Sequence, residues 1–570
     1  MIRAGQHPPV LPPSVADRLG RLTPDQRQAA KAPPGPVLCV APAGSGKTTT
    51  LVARIAWRVA TGTPPERIRA VTFNKRAAIE LGERVDAALA PLGQPPGAVA
   101  VGTLHALGRE ILVVAGQPVE PLLVRAEVLA ELAGGPLRPT ALRRLDDAFS
   151  RLKLDLAVDT AALAAEVAAE AAAGRPPGPI VSAFLAYEAA LAERGGLDFD
   201  DFLRRALRCL ENDAALLGAW RARCATLMVD EAQDLDRSQL RLALLLAAPA
   251  HDVFLVGDDD QTIYAWRLAD VRRILGLAAD LPGLRRVDLV TNFRCPPEVV
   301  RRAVRLVEHN HERFAKSIRA APGAQGRLRL VADPGDEAAR ARSLLEGWAA
   351  DLGASDRPAS HAILARTNAE LAPYAAVALE LGLAYRAIED GLRLDDQTLD
   401  ALLARAGDDD AAALPALRSL AGDGPTDDRP TVMALLAWAA HVRPPTLGRL
   451  RAALASARER RQRLRRDDAP LVLATAHATK GLEFDVVACV GHDDGRFPSR
   501  RSLDESGDPA RALEEERRLA YVAWTRARRK LLLIYDPGAP SPFLLEAFDR
   551  HELEGAARRE PTTAGDVRGP

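Results

Sequence analysis

The chain has 570 residues, with 76 Lys or Arg and 76 Asp or Glu residues, so its formal net charge is zero. At about 150 residues per domain, this length predicts roughly three to four domains, each able to bury a core. The pI of about 7.2 excludes the basic overall field that is typical of nucleic-acid-binding domains. Any nucleic-acid site must therefore be a local groove.

The cysteine pattern and the apolar runs narrow the class of protein further. The five cysteines are scattered without a Cys-x-x-Cys pair, which argues against a zinc site or a disulfide framework and indicates a reducing, cytoplasmic compartment. The start, MIRAGQHPPVLPP, lacks the apolar stretch of a secretory signal. The longest apolar runs, such as LALLLAAPA (242–250), are shorter than the ~20 residues of a membrane span, so we expect no membrane partner.

Short apolar segments alternate with helical segments along the chain. In the first half these segments are GPVLCV (35–40), IRAVTF (68–73), ATLMV (225–229) and HDVFLV (251–256). In the second half they are HAILARTN (361–368), LVLATAHATKG (471–481), VVACVG (486–491) and KLLLIY (530–535). Strands that alternate with helices indicate a parallel sheet covered on both faces, so the sequence predicts an α/β fold with two such sheets.

Two long helical segments interrupt this alternation, at 106–190 and 391–468. The second ends in the basic run ARERRQRLRR (457–466), which could touch phosphate or form a solvated helix face. We expect the tail after residue 551 to be poorly ordered.

The segment APAGSGKT (41–48) follows a predicted strand and opens a helix, as a phosphate-binding loop requires. Its glycines let backbone amides approach the phosphates, and the helix N-terminus adds positive potential. Lys47 would reach the β- and γ-phosphates, and the Thr48 hydroxyl would bind Mg²⁺. Ala41 stands where this motif usually begins with glycine. The flanking strand and helix disfavour a chance Gly-rich turn.

A second motif, LMVDEAQD (227–234), places Asp230 and Glu231 at the end of a buried strand. Asp230 could hold the metal, while Glu231 could orient and deprotonate a water for attack on the γ-phosphate. Adjacent acids could instead cap a following helix. The neighbouring phosphate loop favours the catalytic interpretation.

The complete set of motifs resembles the superfamily 1A DNA helicases of the UvrD/Rep/PcrA type. The matching segments are LTPDQRQAA (22–30), APAGSGKT, AVTFNKRAAIEL (70–81), VGTLHALG (101–108), LDFDDFL (197–203), VDEAQD, VGDDDQTIYAWR (256–267), TNFRCP (291–296), ILARTN (363–368), TAHATKGLEFDVV (475–487) and LEEERRLAYVAWTRAR (513–528). This resemblance implies two tandem RecA-like domains that bind ATP and Mg²⁺ in the cleft between them.

The resemblance also sets the expected domain boundaries. These are 1–104 and 191–290 for the first RecA-like domain, 105–190 for a helical insertion of the 1B type, 291–390 and 469–550 for the second RecA-like domain, 391–468 for a reduced 2B-like insertion, and 551–570 for a disordered tail.

The resemblance assigns nucleotide-site roles by position. Gln26 would read adenine with its amide, Phe293 would stack on the base where relatives usually have Tyr, and Glu483 would contact the ribose. Arg294 and Arg526 are similar to the two arginine fingers of the family. The expected nucleotide-contacting set is Gln26, Ala41, Pro42, Ala43, Gly44, Ser45, Gly46, Lys47, Thr48, Thr49, Phe293 and Glu483, in which Thr49 replaces an arginine that many relatives have.

The segment VGDDDQTIYAWR carries acids and aromatics together. The resemblance implies that Asp258 lies near the metal, that Gln261 senses the γ-phosphate, and that Tyr264, Trp266 and Arg267 contact DNA. Base stacking on such side chains contributes ~1–3 kcal/mol per base and tolerates any sequence. One segment would then touch phosphate and DNA and act as a transmission element. Alternatively, the aromatics are ordinary core residues.

Further DNA contacts are expected at the ends of other strands and at one more aromatic residue. They are Thr72, Phe73, Thr103, His105, Phe199, Arg366, Asn368 and His477. The two histidines could instead be structural, and Phe199 could belong to the core.

The resemblance implies an ATP-dependent helicase or translocase that moves 3′→5′ on single-stranded and 3′-tailed DNA, in repair or replication. Two alternatives remain: a translocase with little unaided unwinding, or a DNA-binding module with a regulatory ATPase. The segment DPGAP (536–540) is too short for the duplex-separating hairpin of relatives, and the 2B-like insertion is short. We therefore expect weak unaided unwinding, supported by an accessory protein or by self-association.

Overall fold

The computed structural model of the chain describes residues 11–175, 177–353, 359–388, 397–423 and 442–558, with residues 432, 435, 436, 438 and 439 between the last two ranges. The chain forms two compact units. Unit 1 contains the chain up to Val290 together with Glu312–Lys316, and unit 2 contains Thr291–His311 and the chain from Ser317 onward. The assignment of Glu312–Lys316 to unit 1 differs from the sequence prediction, which placed these residues in the second domain.

Unit 1 is built on a six-stranded parallel sheet with the strand order β3-β2-β4-β5-β1-β6. Its strands are β1 (Val37–Val40), β2 (Ile68–Thr72), β3 (Ala100–Thr103), β4 (Thr226–Val229), β5 (Val253–Gly257) and β6 (Arg285–Asp288). Every residue of β1, β2, β4 and β5 is buried, because helices cover both faces of the sheet.

Helices of unit 1 cover each face of the sheet with an apolar layer, and helices between β3 and β4 bury an apolar cluster of their own. The described helices of unit 1 are α1 (Pro13–Gly20), α2 (Pro24–Ala30), α3 (Lys47–Ala60), α4 (Lys75–Leu89), α5 (Leu104–Val114), α6 (Arg125–Leu132), α7 (Pro139–Ser150), α8 (Thr160–Ala172), α9 (Pro179–Glu193), α10 (Asp201–Asn212), α11 (Ala214–Arg223), α12 (Arg237–Ala247), α13 (Val271–Leu275) and α14 (Leu277–Asp280). Successive residues of β1 face opposite layers: Val37 and Cys39 pack on one side, Leu38 and Val40 on the other.

The helical segment between β3 and β4 is fastened by buried charges. Lys153 lies on a π-helical turn after α7 and has no exposed side-chain surface. Its ammonium group contacts Glu188 at 2.8 Å, Asp198 at 2.9 Å and Asp201 at 3.2 Å. Arg125 also binds Asp198, at 2.6 Å. The acids of LDFDDFL therefore fix the insertion to the sheet domain.

Unit 2 contains a second six-stranded parallel sheet, ordered β11-β12-β10-β13-β14-β9, and a separate pair formed by β7 and β8. Its strands are β7 (Thr291–Asn292), β8 (Arg319–Ala320), β9 (Arg327–Ala332), β10 (His361–Ala365), β11 (Tyr385–Ala387), β12 (Leu471–Thr475), β13 (Phe484–Cys489) and β14 (Ala527–Tyr535). Two parallel sheets with covering helices confirm the predicted α/β fold class.

The expected 2B-like insertion shares its core with the second sheet. The described helices of unit 2 are α15 (Pro297–Val307), α16 (Glu337–Gly353), α17 (Asn368–Leu381), α18 (Gln397–Ala406), α19 (Ala413–Asp423), α20 (Leu447–Leu464), α21 (Arg500–Asp504), α22 (Pro509–Trp524), α23 (Pro542–Ala547) and α24 (Arg550–Ala557). Leu402 of α18 and Leu450 of α20 belong to the same apolar cluster as Leu473 and Leu532 of the sheet. No helix within the described ranges has the length and apolar character that a membrane crossing requires.

The expectation of a disordered tail from residue 551 is wrong for residues 551–557, which form most of α24. A capping box between Asp549 and Glu552 starts this helix. Arg302 pairs with Glu552, and the Tyr535 hydroxyl donates to the Leu553 carbonyl at 3.2 Å. These contacts tie the helix to unit 2. Residues 559–570 lie outside the described residues.

The buried charge cluster gives a stability prediction. Lys153→Met should lower the free energy of unfolding of unit 1 by about 3 kcal/mol, because breaking a buried ion pair costs ~3–5 kcal/mol. Urea unfolding followed by circular dichroism should show a lower midpoint for this variant. Arg175→Met, at the exposed pair with Glu170, is the control and should leave the midpoint unchanged. Equal midpoints for the two variants would contradict a structural role for Lys153.

Candidate functional site

The candidate site of unit 1 lies at the carboxyl edge of its sheet. Strands β4, β5 and β1 are neighbours and run parallel, so the loops that follow them meet at one edge. These loops carry the three acidic or phosphate-binding motifs of the sequence. The amide of Ala41, after β1, donates to the carbonyl of Gly257, at the end of β5, at 2.8 Å.

The phosphate loop has the backbone shape that its glycines allow. Gly44 and Gly46 have φ of 67° and 82°, a region that L side chains rarely adopt. Helix α3 starts directly afterwards at Lys47, so its free N-terminal amides face the loop. The Lys47 ammonium group donates to the Ala41 carbonyl at 3.2 Å. This arrangement suits the polyphosphate of a nucleotide. Thr49, the third residue of the helix, is exposed.

Gln26 supports the phosphate loop from the preceding helix. Its Nε2 donates to the Ser45 carbonyl at 2.8 Å, and its Oε1 accepts from the Thr23 amide at 3.1 Å. A Cβ on Gly46 would lie only 2.7 Å from this Nε2, so the contact depends on the glycine. The nitrogen and the oxygen of the Gln26 side-chain amide thus both bind the protein backbone. To read adenine as predicted, the side chain has to exchange these partners for the base.

The acidic pair after β4 is held by Gln233. Glu231 has a left-handed backbone (φ 51°), and its amide donates to the Asp230 carboxylate at 3.0 Å. Gln233 Nε2 donates to Glu231 Oε2 at 2.6 Å, while its Oε1 accepts from the Asp258 amide at 3.0 Å. Gln233 therefore links the candidate general base to the loop after β5. The sequence analysis missed this residue, although its place inside VDEAQD offered a signal.

Asp258 connects the loop after β5 to its surroundings. Its carboxylate is fully buried and accepts from Gln261 Nε2 at 2.6 Å and from Lys316 Nζ at 2.7 Å. Burial raises the pKa of Asp258, but the charges of Lys316 and Lys47 outweigh burial and hold the pKa below its usual range. The carboxylate is therefore ionised and fixes the orientation of Gln261.

The aromatic residues after Gln261 form an exposed group. Tyr264 stacks on Phe73 with ring centroids 5.1 Å apart and planes 7° apart. Trp266 meets Tyr264 edge to face at 6.0 Å and is 53% exposed. The Arg267 guanidinium lies over the Trp266 ring at 4.8 Å. For Trp266 the alternative of an ordinary core aromatic is wrong.

A second aromatic pair lies near the end of β3. The rings of His105 and Phe199 stack with centroids 4.2 Å apart, and Phe199 is 55% exposed, which excludes a core role for it. Burial lowers the pKa of His105 to about 4, so its ring is neutral near pH 7. Thr103 caps α5 by accepting from the Ala106 amide at 3.1 Å. Thr72 is buried at the end of β2, next to Phe73.

Unit 2 brings the predicted arginines and Glu483 together. Arg294 donates to Glu483 at 2.8 Å and to the Thr525 carbonyl at 3.3 Å. Arg526 is 1% exposed and donates to the Val522 carbonyl at 2.8 Å. Burial raises the pKa of Glu483, but Arg294 more than compensates and keeps this carboxyl ionised. Phe293, beside Arg294, is 52% exposed, as a base-stacking ring requires.

Among the remaining predicted DNA contacts of unit 2, Arg366 is bound by Glu516, which the sequence analysis missed. Glu516 accepts from Arg366 Nε at 2.8 Å and from its Nη2 at 2.6 Å, and it also accepts from the Ser499 amide at 3.0 Å. Burial and the Arg366 charge lower the pKa of His477 to about 3, so that ring is neutral. Asn368 is the first residue of α17. The Arg366 guanidinium thus already binds Glu516. A contact between Arg366 and DNA would have to form beside this ion pair.

The residues expected to hold Mg²⁺ are chemically suited to it. Within the described ranges, no cluster of three or more His, Cys, Asp or Glu side chains is arranged around a metal position. Mg²⁺ at nucleotide sites commonly uses one or two protein oxygens together with phosphates and water. The Thr48 hydroxyl, in the first turn of α3, and the Asp230 carboxylate, directly after β4, are hard oxygen donors of this kind.

Comparison with known proteins agrees with this geometry. Residues 22–282 match the UvrD/REP helicase N-terminal domain, and residues 450–537 match the UvrD-like helicase C-terminal domain. The chain is 34% identical to the ATP-dependent DNA helicase UvrD2 of Mycobacterium tuberculosis, over 91% of this chain and 80% of the relative. It is 29% identical to DNA helicase II of Escherichia coli (91% and 85%) and 26% identical to the ATP-dependent DNA helicase PcrA of Bacillus subtilis (90% and 82%).

A substitution of Gln233, which links Glu231 to Asp258, tests whether this link matters for catalysis. Gln233→Leu keeps the size of the side chain but removes its bonds to Glu231 and Asp258. We expect kcat for ATP hydrolysis to fall ~10²-fold, since small displacements of catalytic groups have effects of this size. Gln239→Leu is a matched control, because Gln239 is also buried but caps α12. Steady-state kinetics that show the same kcat for both variants would contradict a positioning role for Gln233.

Proposed function

Because the chain belongs to the UvrD/REP helicase family and is an ATP-hydrolysing DNA helicase, we propose that it moves 3′→5′ along single-stranded DNA, in repair or replication. One observation carries the mechanical part of this proposal. A single segment runs from Gln261, bonded to Asp258, to Trp266 in the exposed aromatic group. A change at the phosphate side of this segment would reach the DNA side within a few residues.

The chemistry of the motor follows from the residues at the sheet edge. Lys47 and the amides at the start of α3 would bind the phosphates, and Glu231 would accept a proton from the attacking water. When bound, Mg²⁺ would be held by Thr48 and Asp230 and would neutralise phosphate charge. Arg294 and Arg526 would add positive charge to the transition state, a contribution worth ~10³–10⁵ in rate in well-studied cases.

The aromatic residues suit a single strand of any sequence. Stacking on Tyr264, Trp266 and Phe199 uses the π-face that every base has, so it discriminates little among bases. Arg267, lying over Trp266, would contact the strand backbone. The neutral His105 ring would offer a hydrogen bond without adding charge. This combination supports stepping along single-stranded DNA, with a 3′-tailed duplex as the natural entry substrate.

The stacking proposal is tested by Trp266→Ala. Since one stacked base contributes ~1–3 kcal/mol, we expect the DNA concentration for half-maximal ATPase stimulation to rise ~5- to 150-fold. The measurement is ATP turnover against the concentration of an oligothymidylate. Leu545→Ala, which shortens an exposed apolar side chain of unit 2, is the control and should not change this concentration. An unchanged half-maximal concentration in Trp266→Ala would remove Trp266 from the DNA site.

A second candidate function, translocation with little unaided unwinding, is favoured by the connection after β14. Only a short turn joins β14 to α23, closed by a bond from the Gly538 amide to Asp536 at 2.8 Å. The Ala539 carbonyl accepts from the Asp494 amide at 2.8 Å, and the Ser541 amide donates to the His492 carbonyl at 2.9 Å. The turn therefore lies against unit 2 and forms no projecting hairpin that could separate a duplex.

Both activities should be measured on one preparation. We expect fast translocation, followed by dye release at a single-strand end, and slow displacement of a 3′-tailed duplex by the isolated chain. The physical reason is that the hydrolytic residues are complete whereas the duplex-separating element is reduced. A partner protein or a second copy of the chain could restore unwinding. Rapid, processive unwinding by the monomer would exclude this second candidate and leave the helicase proposal intact.

A further inference from the structure

Three consecutive aspartates in the segment after β5 are buried, so their negative charges require nearby cations. Asp258, Asp259 and Asp260 are each 0% exposed. Adjacent buried carboxylates repel one another and lose hydration, so they stay ionised only beside cations. We call these residues the aspartate triplet.

The cations come from a short piece of chain that we call the strap, Arg313–Lys316. Lys316 has 1% of its side chain exposed and contacts all three carboxylates: Asp258 at 2.7 Å, Asp259 at 2.5 Å and Asp260 at 2.9 Å. Arg313 binds Asp260 through two bonds of 3.1 and 2.9 Å. The strap thus neutralises two of the three charges of the triplet.

The strap is itself fixed to unit 1. The Phe314 amide donates to Asp259 at 2.7 Å. Arg286, in β6, donates to the Ala315 carbonyl at 2.8 Å, and its guanidinium lies over the Phe314 ring at 4.4 Å. These contacts make the strap part of the site edge, although the residues before and after it in the chain belong to unit 2.

Contacts from the triplet continue to the residues proposed for hydrolysis. Asp258 accepts from Lys316 with Oδ1 and from Gln261 with Oδ2, so the carboxylate lies between the two side chains. The Asp258 amide donates to Gln233, which in turn donates to Glu231. The position of Asp258 therefore determines where Gln261 and, through Gln233, Glu231 are held.

We propose that Lys316 is a positioning residue for ATP hydrolysis, which places Gln261 and Glu231 by anchoring Asp258. The inference rests on the functions proposed above for Gln261 and Glu231. Lys316 contacts neither the nucleotide nor the water in this proposal. Its removal lets the triplet carboxylates repel one another, and Asp258 then loses the partner opposite Gln261.

The strap also connects the site to the rest of the chain. It follows α15, which ends at Val307, and precedes β8, which begins at Arg319, and both elements belong to unit 2. Any displacement of Asp258 during hydrolysis therefore reaches the chain of unit 2 through Lys316 and its peptide bond to Ser317. This connection is separate from the one that Tyr264 and Trp266 provide toward DNA.

The test compares Lys316→Met with Lys316→Arg and Arg313→Met. We expect Lys316→Met to lower kcat of DNA-stimulated ATP hydrolysis ~10- to 100-fold, with KM for ATP within about 2-fold of the parent, because only the placement of catalytic groups changes. Lys316→Arg, which keeps the charge, should recover most of the rate. Arg313→Met removes a cation that binds Asp260 and should change kcat by less than about 3-fold.

A double variant separates positioning from a purely structural role. If Lys316 acts through Gln261, the kcat of Lys316→Met/Gln261→Ala should equal that of Gln261→Ala alone, because residues that act as a unit are not additive. Multiplied losses, or equal losses in Lys316→Met and Arg313→Met, would overturn the proposal. Should Lys316→Met fail to fold, as seen by its melting curve, Lys316→Gln, which also removes the charge but keeps a polar side chain, combined with Gln261→Ala provides the same comparison.

Failure of the Lys316 proposal and failure of the proposed function would give different experimental results. If Gln261→Ala itself leaves ATP turnover unchanged, the role assigned to Gln261 is wrong and the positioning inference falls with it. If Gln261→Ala lowers turnover while Lys316→Met does not, the proposed function stands and only the inference about the strap is contradicted.

Discussion

A buried, ionised carboxylate is the constraint on which the site depends. Asp258 has no exposed surface, so its charge is stable only while Lys316 and Gln261 satisfy its oxygens. Its backbone amide meanwhile holds Gln233, and Gln233 holds Glu231. Loss of any of these hydrogen bonds would leave a buried polar group without its partner. The network is thus expected to have few alternative arrangements, which suits a switch between discrete states.

The strand order of unit 1 places two kinds of chemistry on one sheet edge. The phosphate loop and the acidic motifs follow β1, β4 and β5, whereas Phe73 and His105 follow β2 and β3. The segment after β5 crosses from the first group to the second, since Tyr264 stacks on Phe73. Parallel topology therefore brings the residues proposed to bind nucleotide and those proposed to bind DNA together without a long connection. The helical insertion after β3 is held to the segment that starts α10 by Lys153 and its acids.

Much of the fold and part of the site could be predicted from the sequence. The alternation of apolar strands and helices predicts both parallel sheets, the two nucleotide-binding motifs predict roles for Lys47 and Glu231, and the family resemblance implies one for Gln261. The structure adds contacts between residues distant in sequence, which no local pattern encodes. Asp258 meets Gln233 from 25 residues away and Lys316 from 58, while Arg366 meets Glu516 from 150.

Other features were missed although a local signal existed. The capping box of Asp549 and Glu552 marks the start of α24, yet the polar composition of the last residues favoured disorder. The Gln26 amide illustrates a different limit. Its motif position predicts a nucleotide contact, but whether its amide binds a base or the Ser45 carbonyl depends on the loop that folds against it.

Linkage between the two binding equilibria tests most directly whether the segment after β5 couples nucleotide to DNA. In Glu231→Gln, which removes the proposed base, the affinity for an oligothymidylate can be measured with and without ATP, and the affinity for ATP with and without the oligothymidylate. The two ratios must be equal by thermodynamic necessity, and coupling of ~5- to 150-fold is typical of linked sites. We predict a ratio in this range that approaches one when Trp266→Ala is added. A ratio of one in Glu231→Gln itself would contradict the coupling.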